Sequence, residues 1–156
     1  MKNRSIVQSF RCAINGIRIA FKGERNLRVH LIIAIYALFL SIVCRFDAVE
    51  ISVLILVCSL VITSELINTA IEETVDIEVS GYDRMAKAAK DISAGAVMVS
   101  AVSAIITGAV LFLNDFRIVA GIKLIYSNAA AGVIFSLSVV ATAVGIIRDC
   151  GRKRGN

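Results

Sequence analysis

The chain has 156 residues, room for a single domain, and its 17 Lys+Arg against 12 Asp+Glu give a formal net charge of +5. Hydrophobic residues make up 58%, mean hydropathy is +0.82, and proline is absent. A water-soluble domain of this size cannot hide so much apolar surface, so the composition points to an all-α membrane protein and away from a barrel.

The amino-terminal segment, about 4–25, predicts an amphipathic helix. Ile6, Phe10, Ile14, Ile17 and Phe21 share one face at about 100° per residue, while Arg4, Arg11, Arg18 and Arg25 repeat every seven residues on another, with Lys22 among them. Such a helix lies in the interface beside anionic headgroups. Because the first 28 residues are mostly polar and basic, no cleavable signal peptide is expected.

Four membrane spans are expected, at about 29–46, 51–71, 92–113 and 124–147. Between the first two, Arg45 to Glu50 fits a tight hairpin. The third carries small residues four apart (Ala96, Ser100, Ala104, Gly108), a device for close helix packing within or between subunits. Basic residues cluster before span one, between spans two and three (Arg84, Lys87, Lys90) and after span four, whereas the opposite side has only Arg45, Arg117 and Lys123. Both termini are therefore expected in the cytoplasm, and the protein in a bacterial cytoplasmic membrane. No soluble basic domain is present, so nucleic acid is not an expected partner. The four cysteines lie far apart without CxxC spacing or a nearby histidine pair, and read as small apolar residues.

The stretch ELINTAIEETVD, residues 65–76, does not fit a plain span. A carboxylate among lipid tails is unfavourable by roughly 3 kcal/mol or more. Yet Glu65 is followed by Leu66, Ile67, Ala70 and Ile71, and Asn68, Glu72 and Asp76 project from the same helical face, each within about 60° of Glu65. Glu24 precedes span one and Lys90-Asp91 opens span three, so three helix ends bring charge to one level. Two acids from different helices can hold Mg²⁺, and lysine or arginine can offset phosphate charge. Glu65 at the polar edge can remove a proton from a hydroxyl there. No GxxxxGK[ST] loop is present, so any nucleotide site must be built from helix ends and the 77–89 connection.

These residues carry a resemblance. ELINTAIEETVD (65–76) resembles the signature of the prokaryotic integral-membrane diacylglycerol kinase and undecaprenol kinase family: glutamate, two apolar positions, asparagine, Ser/Thr, small, apolar, glutamate, two variable positions, valine, aspartate. AFKGERNLRVH (20–30) and the AKD at 89–91 are similar to the family too. The resemblance covers about residues 1–113 and implies a lipid kinase domain there, ATP as phosphoryl donor, Mg²⁺ as cofactor, and a homotrimer with sites shared between subunits. It implies Glu65 as general base, with Asn68 positioning the hydroxyl or the base. Glu24 and Glu72 are implied as metal ligands, and Lys90 and Asp91 as nucleotide contacts along with Gly81, Tyr82 and Asp83. Arg28 is expected near the lipid headgroup.

Two departures stand out. Ser5 occupies a position where the family often has a substrate-contacting arginine, and residues 114–156 extend beyond the three-span pattern. The segment ERNLRVH, with His30, is similar to Gram-positive members acting on undecaprenol. Undecaprenol is thus the expected alcohol and diacylglycerol the alternative. A cation transporter subunit or a membrane scaffold are readings of other classes. A transporter would place acids nearer the bilayer midplane, and a scaffold leaves the polar stripe without a use.

Overall fold

A computed structural model describes residues 5–78, 81 and 83–152. Among them the regular elements are helices only: α1 (Ile6–Gly23), α2 (Arg25–Val43), α3 (Ala48–Glu78), α4 (Arg84–Leu113), a 3-10 turn (Asn114–Phe116), α5 (Arg117–Ser127) and α6 (Ala129–Arg152). Helices α2, α3 and α4, and Ala129–Ile146 of α6, are long and apolar enough to cross a membrane. At 31 residues α3 is about 46 Å long, well beyond a hydrocarbon layer of about 30 Å. Its last turns must therefore emerge from the apolar layer, and the acidic stripe occupies those turns.

Local chemistry sets the helix ends. Asp47 Oδ1 accepts from the amides of Val49 (2.8 Å) and Glu50 (2.9 Å), while Glu50 Oε2 accepts from the Asp47 amide at 2.9 Å. That reciprocal capping box starts α3 directly after the hairpin, where Arg45 takes a left-handed φ of 56°. Asp83 starts α4 by accepting from the Ala86 amide at 2.9 Å. Helix α1 ends at Gly23, and Glu24 is extended (φ −100°, ψ 119°) before α2 begins. The apolar residues Ile6, Phe10, Ile14 and Ile17 of α1 are each more than half exposed, the condition an interface-lying helix requires.

The last span differs from expectation. The stretch 124–147 is divided at Asn128, which is extended and whose Oδ1 accepts from the amides of Ala130 (3.1 Å) and Ala131 (3.3 Å). Those bonds cap a new helix, so the span starts at Ala129 and the preceding residues belong to α5. Helix α6 packs antiparallel on α2: Phe135 stacks on Phe39 (centroids 6.0 Å apart), and Tyr36 Oη lies 3.1 Å from Ser138 Oγ and 3.2 Å from Thr142 Oγ1. At the far end of the bundle Arg117 Nη1 donates to both carboxylate oxygens of Glu50 (2.6 and 2.7 Å), and Gly121 lies against Cys44.

Candidate active site

The amino ends of α2 and α4 and the carboxyl end of α3 meet at one end of the bundle, joined there by the α1–α2 corner. Glu65 sits at this meeting point and is 2% exposed, among the most deeply buried side chains described. A carboxylate in such a place needs partners. Asn26, in the first turn of α2, hydrogen-bonds its side chain, and Glu24 and Glu72 stand close enough for their charges to act on it.

Asn68 organises the next level. Its Nδ2 donates to Glu72 Oε1 at 2.8 Å, one turn along α3. Its Oδ1 accepts from Ser93 Oγ on α4 at 2.7 Å, a hydroxyl that also lies 2.9 Å from the Lys90 carbonyl. Thr69, buried beside them, donates to the Glu65 carbonyl at 2.9 Å. Further out, Lys90 Nζ pairs with Asp76 Oδ1 between α4 and α3. Asp76, Gly81, Asp83, Lys87 and Lys90 line an open cleft of about 180 Å³. Lys87 and Lys90 offer two ammonium groups to phosphate oxygens there, balanced in this structure by Asp76, paired with Lys90, and by Asp83, which caps α4.

On the membrane side an apolar cavity of about 270 Å³ begins one helical turn from Glu65 and Asn26, at Val61 and His30. It continues along the same faces of α2, α3 and α4 past Ala34, Cys58 and Ala104 to Phe112. Ala104 and Gly108, half of the small-residue stripe, line this cavity, and no atom of another helix lies within 4 Å of a Cβ built on Gly108. Small residues here keep space open between the helices of one chain.

The structure brings together Glu24, Glu65, Asn68 and Glu72 at the inner level, and Gly81, Asp83 and Lys90 at the outer one. Asp91 is exposed and is not among the residues lining the cleft. Tyr82 lies outside the described residues. Arg28, expected near a headgroup, donates from Nη1 to the carbonyls of Phe21 (2.9 Å) and Lys22 (3.1 Å) at the end of α1. Sequence reasoning gave no site role to Asn26, Ser93 or Lys87. Lys87 and Ser93 each lie three residues from Lys90, the helical spacing of a shared face, which is the one signal that points to them.

A family model described as prokaryotic diacylglycerol kinase matches residues 11–112. A diacylglycerol kinase of Synechocystis is 38% identical over 110 residues, covering 70% of this chain and 63% of that protein. The undecaprenol kinase of Bacillus subtilis is 38% identical over 106 residues, covering 68% of this chain and 86% of its own. The diacylglycerol kinase of Escherichia coli is 31% identical over 101 residues, 65% of this chain and 83% of that one.

Proposed function

Since this chain belongs to the prokaryotic diacylglycerol kinase family, we propose that it transfers the γ-phosphoryl group of ATP to the hydroxyl of a membrane lipid alcohol, undecaprenol in the first place and diacylglycerol as the alternative. The observation that carries this reading is the position of Glu65, a buried carboxylate with an apolar cavity one turn to one side and a lysine-lined cleft to the other. A lipid hydroxyl can reach it from the bilayer and a nucleotide from water.

Glu65 takes the proton of the alcohol, the alcohol oxygen bonds to the γ-phosphorus, and the bond from that phosphorus to the β,γ-bridging oxygen breaks to release ADP. Asn68 fixes Glu72 and the α3–α4 spacing through its two hydrogen bonds. Lys90 and Lys87 serve the phosphates and Gly81 and Asp83, in the same cleft, the nucleotide; the family resemblance adds Tyr82 and Asp91 to the nucleotide contacts. Among the described residues no group of three or more His, Cys, Asp or Glu side chains closes into a metal cage. Glu24 and Glu72 instead offer hard carboxylate oxygens from two elements, a donor set that suits Mg²⁺ sharing its shell with water and phosphate oxygens. Bound there, Mg²⁺ supplies neutralisation of phosphate charge.

The antiparallel return of α6 brings its carboxyl end back to the side of α1, which supports cytoplasmic termini together with the basic loops. A homotrimer in the bacterial cytoplasmic membrane accounts for the apolar faces that α3 and α4 leave exposed. The test is Mg²⁺-dependent transfer of labelled phosphate from ATP to undecaprenol and to diacylglycerol, measured side by side on purified protein. Glu65→Gln serves as control and is expected to lose about 10²–10⁴-fold in rate. Transfer to neither lipid by folded protein sinks the reading, and preference for diacylglycerol changes only the substrate.

A further inference from the structure

The corner between α1 and α2 has no proline to enforce it; the chain contains none. If the helix ran on through Glu24, the carbonyls of Phe21 and Lys22 would accept from the amides of Arg25 and Asn26, four residues along. Instead Glu24 donates its own amide to the Ala20 carbonyl at 2.7 Å and then turns extended (φ −100°, ψ 119°), which takes the chain off the helical path. The Phe21 and Lys22 carbonyls are taken by Arg28 Nη1, at 2.9 and 3.1 Å. A side chain from the start of α2 thus bonds to the last carbonyls of α1 across the corner. Its positive charge also lies at the carboxyl end of α1, where the helix dipole favours a cation.

The consequence falls on the site. Glu24 is the single extended residue of this corner and Asn26 follows it, and both act on Glu65. Straightening or loosening the corner moves Glu24 and Asn26 together. We infer that Arg28 is a positioning residue: its guanidinium, bound to the last carbonyls of α1, locks the corner that points Glu24 and Asn26 at Glu65. For Glu24 as a metal ligand this rests on the function proposed above; the locking of the corner does not.

The experiment joins a geometric readout to a kinetic one. Spin labels at Ile14 on α1 and Ile35 on α2, both more than half exposed, report the distance across the corner by pulsed electron paramagnetic resonance in the full-length protein. Arg28→Met is expected to broaden or shift that distance distribution. Arg28→Lys keeps a donor and a charge, and is expected to lie between wild type and Arg28→Met. In kinetics Arg28→Met should lower kcat by roughly 10- to 100-fold, the effect of a small misplacement of reacting groups, and weaken the dependence on Mg²⁺ while leaving the lipid KM near its wild-type value. Combined with Glu24→Gln, it should add little further loss.

A distance distribution unchanged in Arg28→Met overturns the inference, as does a loss confined to lipid KM, the mark of a headgroup contact. If Arg28→Met does not fold, Arg28→Lys decides by the same two readouts. Wild-type protein that transfers no phosphate sinks the proposed function, and the distance measurement still judges the corner.

Discussion

Ser93 Oγ donates to Asn68 Oδ1 at 2.7 Å, and both side chains are buried. Because Asn68 also donates to Glu72 Oε1, the position of α4 is transmitted through one amide to a carboxylate of the site. Ser93→Ala leaves the Asn68 carbonyl oxygen without this donor, which costs roughly 1–3 kcal/mol in stability when the group stays dry. The amide can then turn, so kcat is expected to fall about tenfold while the lipid KM holds. Thermal unfolding in detergent and steady-state kinetics check the two halves separately. An unchanged kcat in a destabilised Ser93→Ala protein shows the bond to be structural only.

The Lys90–Asp76 pair makes the opposite prediction about stability. Its side chains are 33% and 66% exposed, and pairs this wet contribute about 0–1 kcal/mol. Lys90→Met should therefore leave thermal unfolding within a degree or two of wild type, while raising the KM for ATP at least tenfold through the lost phosphate contact. Asp76→Asn releases Lys90 without removing it, and is expected to leave ATP affinity closer to wild type than Lys90→Met does. Equal damage from both substitutions would mean that the pair matters as a unit.

Part of this site was legible because it lies on one helix. Helical periodicity alone places Glu65, Asn68 and Glu72 on one face, and the apolar residues after Glu65 mark its depth. Asn26, Ser93 and Lys87 belong to other helices, and which of their faces turns toward Glu65 is decided by packing across α2, α3 and α4. The division at Asn128 was hidden for another reason: its neighbours are as apolar as those of a continuous span, and hydropathy does not record a capping side chain. Small residues every fourth position likewise leave two outcomes open, close helix contact or space. At Ala104 and Gly108 the structure has space.

Where the chain does need close contact is Gly121. A Cβ there would lie 2.6 Å from Cys44 Sγ, so in Gly121→Ala either the Cys44 side chain or α5 must shift. Overpacking of this kind costs about 1–3 kcal/mol. Gly121→Ala is expected to lower the unfolding temperature, and Cys44→Ala in the same chain to restore most of it. The site is at the other end of the bundle, so kcat should stay within about twofold of wild type at temperatures where the protein is folded. Additive losses in the double variant would show that some other neighbour of residue 121 is at fault.

The apolar cavity below Glu65 gives the sharpest separation of substrate binding from folding. Filling an empty apolar space adds contacts among atoms that lacked them, so Ala104→Leu should leave stability unchanged or raise it by about 0.5–2 kcal/mol. If the lipid's hydrocarbon chain enters the same space, the added side chain competes with it. The expected outcome is a lipid KM raised about tenfold or more, an ATP KM unchanged, and a smaller penalty for short-chain alcohols than for long ones. His30 and Phe112 mark the two ends of the space, so chain-length dependence reads how far along it the substrate reaches. Measuring kcat/KM across a series of prenols and acylglycerols, with unfolding followed on the same preparations, tests each part. A stabilised Ala104→Leu protein with unaltered lipid KM would place the substrate chain elsewhere, on the outer faces of α3 and α4.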